Sequence, residues 1–244
     1  MVTGEINDNA YFLHNLLIDR TFYWANYFWA DGLMKIFLLA TLLFVITTAC
    51  CAGEFGPHAK VTFKYLDEIR AFSGTVIESP DDKIKVLTCW HGTMGFSNPK
   101  TMLVEIFQLP EGNTQLSATI ELSVVKSDPD RDVLLLSGPN DLKLQIKKLK
   151  LANFSLLKDV KTKSYGYAGT TTLIENDSVV VDYETTTQAG NRILKARAPV
   201  VFGMSGGGQV YNGDLYGVQS SGKDGFVYYC PSYQLIRFAS EQDN

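Results

Sequence analysis

Short runs of apolar or alternating residues, separated by turn residues, make up most of the chain after Val61. Side chains of a strand point to opposite faces in turn, so runs of this length predict β-strands. Five runs precede a lysine-rich stretch, at residues 72–78, 84–88, 101–108, 119–125 and 133–136. Six follow it, at residues 169–175, 178–185, 192–196, 209–210, 215–220 and 225–229. Two such sets favour two small antiparallel β-barrels.

The most apolar part of the chain lies near its start, at residues 34–52. Its length falls between the core of a signal peptide and a minimal membrane-spanning helix. The preceding residues 1–33 are rich in Tyr, Phe and Trp, which suit a membrane interface. We therefore favour a retained hydrophobic helix, a single-pass membrane anchor, over a signal that is cleaved to release a secreted protein.

These patterns divide the chain into five parts. An aromatic-rich lead (1–33) and the hydrophobic helix (34–52) come first, followed by a short Gly/Pro joint at residues 53–57. The first barrel is predicted at residues 58–145, a linker at 146–165, and the second barrel at 166–244. The last part includes a short helix near residues 232–240.

Composition narrows the function classes only slightly. Of 244 residues, 45% are hydrophobic and 20% charged, so the chain can bury a core. A net charge of −4 gives no reason to expect nucleic acid as a partner, and the lysine-rich residues 143–150 fit a solvated strand or linker. Four cysteines are too few for a disulfide framework, and a bridge between Cys89 and Cys230 stays open.

Three segments carry candidate chemistry. Ser205 lies in Gly203-Met204-Ser205-Gly206-Gly207, where glycines allow a tight turn that aims backbone N–H groups at one point. His91 follows the apolar strand at residues 84–88. An aspartate-rich turn, residues 128–132, precedes the apolar run 133–136. A hydroxyl, an imidazole and a carboxylate together are the groups that nucleophilic catalysis by serine requires.

In this order and context, the three segments resemble the motifs of the chymotrypsin-like serine peptidases. The resemblance implies an all-β fold of two antiparallel six-stranded barrels with a short C-terminal helix. It also implies that His91 is the general base, Ser205 the nucleophile, and the N–H groups of Gly203 and Ser205 the oxyanion hole. Asp132 is the preferred third member because it abuts the strand at 133–136, while Asp128 and Asp130 stay open as alternatives.

The same resemblance suggests where a polypeptide substrate binds. Pro199 stands where trypsin-like members place an aspartate at the pocket floor, which argues against a simple preference for Lys or Arg. Gln219 stands near the position where several viral relatives place a histidine that binds Gln or Glu side chains. It could equally be an ordinary strand residue. The following Ser220, Ser221 and Gly222 resemble the strand that lines the cleft. We expect no cofactor and no metal.

Two departures from the family concern activation and origin. Met204 replaces the aspartate of zymogen-type members, so we expect no activation by a cleavage-triggered ion pair. This compact plan resembles processing proteases of positive-strand RNA viruses, of the astrovirus or sobemovirus type, whose substrate is their own polyprotein. The prediction is a membrane-tethered serine endopeptidase. The alternatives are an inactive homologue that binds peptides, for which Trp90 beside His91 is the main reason, and a secreted protease of bacterial trypsin-like type.

Overall fold

The computed structural model describes residues 54–65, 68–95, 99–109, 117–167, 172–185 and 191–240. The predicted lead at 1–33 and the predicted hydrophobic helix at 34–52 lie outside these residues. Within the described part of the chain, no helix combines the length and apolarity needed to cross a membrane.

Twelve antiparallel strands close into two six-stranded barrels, which confirms the predicted double-barrel fold. The first barrel has the order β1-β2-β3-β6-β5-β4, with strands β1 Phe55–Tyr65, β2 Glu68–Ile77, β3 Ile84–Thr88, β4 Thr101–Gln108, β5 Ser117–Asp128 and β6 Val133–Gly138. The second has the order β10-β11-β12-β9-β8-β7, with strands β7 Lys161–Tyr167, β8 Leu173–Thr185, β9 Arg192–Arg197, β10 Gly208–Tyr211, β11 Asp214–Lys223 and β12 Phe226–Pro231. The predicted C-terminal helix, α1, spans Ser232–Ser240.

Both barrels begin earlier than predicted. Strand β1 starts at Phe55, inside the predicted joint, because its register shifts between Phe55 and Ala59 and such a bulge accommodates Pro57. Strand β7 starts at Lys161, inside the predicted linker 146–165 and before the predicted boundary at 166. Its inward residues include Thr162 and Ser164 rather than aliphatic side chains, so hydrophobic alternation did not reveal it.

One further boundary was wrong within the second barrel. Two separate runs were predicted on either side of Asn176 and Asp177, yet β8 passes through both residues without a turn. Asp177 lies opposite Lys163 in the β7–β8 register. Its carboxylate forms an ion pair with the Lys163 Nζ at 2.8 Å. Polar residues that resemble a turn in the sequence are therefore a cross-strand pair in the sheet.

Strand β6 begins with four consecutive apolar residues, 133–136, and both of its faces are buried there. Leu134 and Leu136 point into the first barrel, whereas Val133 and Leu135 join a second cluster outside it. That second cluster includes residues from both barrels and from α1, namely Ile77, Leu87, Leu149, Leu215, Val218, Cys230, Leu235 and Phe238. The interface between the barrels is thus a hydrophobic core of its own, closed by α1.

Candidate active site

His91 and Asp132 are joined by two hydrogen bonds. His91 lies in a short 3-10 turn, His91–Thr93, directly after β3. Its Nδ1 is 2.7 Å from Asp132 Oδ2, and its backbone N–H donates to Asp132 Oδ1 at 2.7 Å. The carboxylate therefore holds both the ring and the main chain of the histidine. When Nδ1–H donates to the carboxylate, the neutral ring presents Nε2 as a proton acceptor.

A strained turn presents the Asp132 carboxylate. Asp132 has a φ of 55°, in the left-handed region that is uncommon for a residue other than glycine. Its backbone N–H donates to the Pro129 carbonyl at 3.2 Å, and its carbonyl accepts the Trp90 N–H at 3.3 Å. Such strain persists only where surrounding contacts enforce it, and it clusters at functional sites.

The two alternative aspartates are placed elsewhere. Asp128 accepts the Arg131 backbone N–H at 3.0 Å and pairs with the Arg131 guanidinium, so its carboxylate caps the turn. Asp130 is exposed. Of these three aspartates, Asp132 is the one that contacts His91.

The loop that carries Ser205 is built on glycines that leave no room for a side chain. Gly203 has a φ of 84° and Gly206 a φ of 86°. A Cβ on Gly206 would collide with the Ser73 carbonyl and Thr88 of the first barrel. A Cβ on Gly207 would collide with the Tyr165 carbonyl. The loop is therefore wedged between the backbones of both barrels, which explains why the serine is bracketed by glycine.

Ser220 connects the nucleophile candidate to the aspartate. The Ser205 hydroxyl donates to the Ser220 carbonyl at 3.4 Å, and the Ser220 hydroxyl donates to Asp132 Oδ2 at 2.5 Å. The structure thus brings His91, Asp132 and Ser205 together through one chain of hydrogen bonds. The part of the chain that is described contains no direct hydrogen bond between His91 and Ser205. Ser220, whose binding of substrate stays a prediction, thus also contacts the aspartate.

The Ser205 loop has four consecutive backbone N–H groups, at residues 203–206, and two of them have an acceptor within the protein. Gly206 N–H donates to the Gln219 carbonyl at 2.7 Å, and Met204 N–H donates to the Val201 carbonyl at 3.4 Å. Among the described residues, neither the Gly203 N–H nor the Ser205 N–H has a hydrogen-bond acceptor. These are the two donors predicted to hold an oxyanion.

Asp132 raises the pKa of His91 above its ordinary value of 6.5. The hydrogen bond to the carboxylate is the largest cause, and an interaction with Cys89 adds to it, whereas partial burial opposes both. An anionic partner favours the imidazolium, so this arrangement stabilises the form that would exist after a proton transfer to the ring.

The predicted substrate residues differ in exposure. Pro199 is exposed, and its part in substrate binding stays a prediction. Gln219 is 4% exposed, while Ser221 is exposed. A Cβ on Gly222 would lie 2.6 Å from Val200 Cγ1, so the Val200 side chain fills the space beside that glycine.

One residue that matters to the site, Ser73, carried no recognisable motif, and three that the sequence singled out, Met204, Cys89 and Cys230, are buried. Ser73, on the β2 face turned to the second barrel, hydrogen-bonds to the Ser205 loop. Met204 is 1% exposed, and its sulfur accepts the Asn176 amide at 3.5 Å, so an uncharged side chain occupies the place of the zymogen aspartate. Cys89 and Cys230 are both free thiols, so no bridge joins them.

The described residues contain no cluster of His, Cys, Asp and Glu suited to a metal ion. Neither a protein-family profile nor a curated protein matches the sequence. Solved structures do match the fold. The active form of the Rv3671c protease from M. tuberculosis is similar at a TM-score of 0.58 and 20% identity, with 82% of this chain and 86% of that chain covered.

Two further structures show the same likeness. A serine endoprotease from Yersinia pestis matches at a TM-score of 0.57 and 17% identity over 74% of this chain and 60% of that chain. The MamO protease domain from Magnetospirillum magneticum matches at 0.57 and 17% over 77% of this chain and 96% of that chain. These matches establish that the fold is the chymotrypsin-like double barrel.

Proposed function

We propose that this protein is a serine endopeptidase that hydrolyses peptide bonds through an acyl-enzyme. The observation that supports the proposal is the arrangement around Asp132, whose carboxylate binds His91 at two points and reaches Ser205 through Ser220. A carboxylate that fixes the tautomer of an imidazole beside a glycine-bracketed serine is the arrangement needed for nucleophilic acyl transfer.

In the proposed reaction, the Ser205 hydroxyl leaves the Ser220 carbonyl and turns towards Nε2 of His91. The Ser205 oxygen then bonds to the carbonyl carbon of the substrate while its proton passes to Nε2. The negative charge on the former carbonyl oxygen is held by the N–H groups of Gly203 and Ser205, each worth about 3 kcal/mol in sites of this kind. The Asp132 carboxylate stabilises the imidazolium that forms.

The intermediate collapses when the peptide C–N bond breaks and His91 returns the proton to the departing amine. Water then attacks the acyl-serine ester, again giving its proton to His91, and the second tetrahedral intermediate releases a carboxylic acid and restores the Ser205 hydroxyl. No cofactor enters these steps.

Labelling of the full-length protein with a fluorophosphonate tests the proposal. We expect covalent modification of the wild type and its loss in Ser205→Ala. Ser123→Ala removes an exposed serine on β5 and is the matched control, which should label like the wild type. A folded wild type that neither labels nor cleaves a denatured protein substrate contradicts the proposal and favours an inactive homologue that binds peptides.

We propose in addition that residues 34–52 tether the enzyme to a membrane and that its substrate is a polyprotein that includes the enzyme. Both ideas rest on the sequence pattern and the motif resemblance. Extraction at alkaline pH of the full chain and of a variant lacking residues 34–52 tests the first, since only the full chain should stay with the membrane. The reading frame on either side of the coding sequence tests the second. The secreted bacterial-type alternative predicts a free mature protein.

A further inference from the structure

Ser73 makes four hydrogen bonds at the boundary between the two barrels. It lies on β2 of the first barrel, is 0% exposed, and faces the second barrel together with Thr75 and Ile77. Its hydroxyl donates to the Gly203 carbonyl at 2.8 Å and accepts the Tyr167 backbone N–H at 2.7 Å. Its own backbone N–H donates to the Ser205 carbonyl at 2.8 Å.

The Ser73 carbonyl completes this set by accepting the Thr88 hydroxyl at 2.6 Å. The hydroxyl of Ser73 has one hydrogen, and that hydrogen is committed to Gly203. One residue of the first barrel therefore restrains both residues that flank Met204 in the loop, Gly203 through a side-chain bond and Ser205 through a main-chain bond.

The bond to Gly203 limits the rotation of a residue that has no side chain to limit it. The Gly203 carbonyl and the Gly203 N–H belong to successive peptide groups, so φ and ψ of this glycine, whose φ is 84°, together set their relative orientation. Holding the carbonyl in the interior therefore narrows the range of directions open to the N–H. That N–H, like the Ser205 N–H, has no acceptor among the described residues.

We propose that Ser73 is a positioning residue that preorganises the oxyanion hole from the opposite barrel; this inference rests on the proposed function. Its hydroxyl touches neither substrate nor the reacting atoms. It acts by keeping the Gly203 peptide in the orientation that leaves both N–H groups directed at a developing oxyanion, so that no reorganisation is required during the reaction.

Steady-state kinetics of Ser73→Ala test the proposal. The variant keeps both main-chain bonds of residue 73 and loses the two bonds of the hydroxyl, to the Gly203 carbonyl and from the Tyr167 N–H. The loop therefore stays attached while the Gly203 carbonyl is released. We expect kcat to fall about 10- to 100-fold, less than the loss from deleting an oxyanion donor outright, with KM changed by less than about twofold. The affinity for a peptide aldehyde, which forms a tetrahedral adduct, should fall by the same factor as kcat/KM.

Thr75→Ala is the matched control. Thr75 lies two residues further along the same buried face and is also 0% exposed, but its hydroxyl has no hydrogen-bond partner and faces Gly208 rather than the loop. We expect this variant to keep wild-type kcat. The pH at which activity falls in acid should be unchanged in both variants, because the contact between His91 and Asp132 is not altered.

Amide hydrogen exchange separates this proposal from the proposed function. The Met204 N–H lies in the same peptide group as the Gly203 carbonyl and donates to the Val201 carbonyl at 3.4 Å. Exchange at Met204 should accelerate in Ser73→Ala and not in Thr75→Ala, whether or not the protein hydrolyses peptides. A Ser73→Ala variant with wild-type kcat and unchanged exchange overturns the inference, as does an equal loss of kcat in both variants. An inactive wild type that still shows the exchange difference overturns the proposed function alone. If Ser73→Ala does not fold, Ser73→Cys, which keeps the volume and weakens the donor, decides by the same comparisons.

Discussion

The interiors of the two barrels differ in chemistry. The first is filled by aliphatic side chains that are 0% exposed, among them Val61, Val86, Val104, Ile106, Leu122 and Leu136. The second encloses a group of buried polar side chains beside its aliphatic ones, namely Thr162, Ser164, Ser178, Gln209 and Tyr229. These polar groups pair with each other: Ser164 Oγ is 2.5 Å from Tyr229 Oη, and Gln209 Nε2 donates to Thr162 Oγ1 at 3.0 Å.

This difference teaches that one architecture is stabilised in two ways. The first barrel depends on filling volume, because cavities in an apolar core cost dispersion and transfer free energy. The second also contains buried polar groups that hydrogen-bond to one another, because a buried hydroxyl without a partner is costly, although Gln209 Oε1 is buried without a partner. The site shows a parallel contrast. The first barrel supplies His91 and Asp132 through side-chain contacts, whereas the second supplies Ser205 and two N–H groups through backbone geometry.

The largest expected effect comes from substitutions that break the contact between His91 and Asp132. Asp132→Asn should lower turnover about 10⁴-fold, because an amide cannot stabilise the imidazolium and favours the wrong tautomer of His91. His91→Ala should cost a similar factor. Asp130→Asn is the matched control: its carboxylate is exposed in the same turn, and it should keep near wild-type turnover. Near-full turnover in Asp132→Asn together with loss in Asp130→Asn would show that the third member was assigned wrongly.

The pH profile sharpens the same test. His91 can accept a proton only when it is neutral, and the raised pKa keeps it protonated to a higher pH than an ordinary histidine. We therefore expect kcat/KM of the wild type to rise with pH through an apparent pKa above 6.5. In Asp132→Asn, the largest cause of the shift is removed, so the residual activity should rise at a lower pH. An unchanged midpoint would contradict this account.

The next prediction compares the two interiors directly. Leu136→Ala in the first barrel should lower the free energy of unfolding by about 2–5 kcal/mol, because a buried leucine leaves a cavity. Tyr229→Phe in the second barrel keeps almost all of the volume and should still cost about 1–3 kcal/mol, because Ser164 loses its partner. Urea denaturation of each variant measures both values.

A double substitution distinguishes polarity from packing in the second barrel. Adding Ser164→Ala to Tyr229→Phe removes both partners of one hydrogen bond, so part of the stability lost in the single variant should return. Additive losses would mean that the pair contributes by packing alone, and the contrast between the barrels would then fail.

The contrast also explains how much of the fold the sequence could predict. Aliphatic alternation revealed β3 and β4 with their observed ends, residues 84–88 and 101–108. No run was predicted for β1, although its inward Ala59, Val61 and Phe63 are apolar. None was predicted for β7 either, whose inward Thr162 and Ser164 are stabilised by partners on distant strands. For β7 the reason is physical: a local pattern indicates burial only when the buried side chains are apolar.

In the site, residues that lie in local motifs could be predicted, whereas contacts between distant segments could not. The positions of His91, Asp132 and Ser205 follow from local motifs, and the structure brings these three residues together. The contribution of Ser73 depends on where β2 meets the loop of the other barrel, a relation between segments about 130 residues apart. The hydrogen bond from Ser220 to Asp132 was also missed, because it joins strand β11 to a turn of the first barrel.

The contact between the barrels also contains a buried histidine. His58, on β1, stacks on Tyr165 of β7 with ring centroids 4.3 Å apart, and its Nδ1 is buried without a hydrogen-bond partner. Burial is the main cause that lowers its pKa to about 3, and the nearby charge of Lys147 lowers it further. The folded protein therefore keeps this ring neutral at pH values where an unfolded chain binds a proton.

The smallest expected effect follows from that difference. Since the unfolded chain takes up a proton at His58 below about pH 6.5 and the folded chain does so only near pH 3, this residue lowers stability as the pH falls between those values. At pH 5.5 the loss relative to pH 7.5 amounts to about 1 kcal/mol. His58→Phe keeps the stacking on Tyr165 and removes the titration, so its free energy of unfolding should fall by about that much less between the two pH values. An equal pH dependence in both proteins would mean that His58 is already solvated in the folded state, and the interface between the barrels would then be open to water at this point.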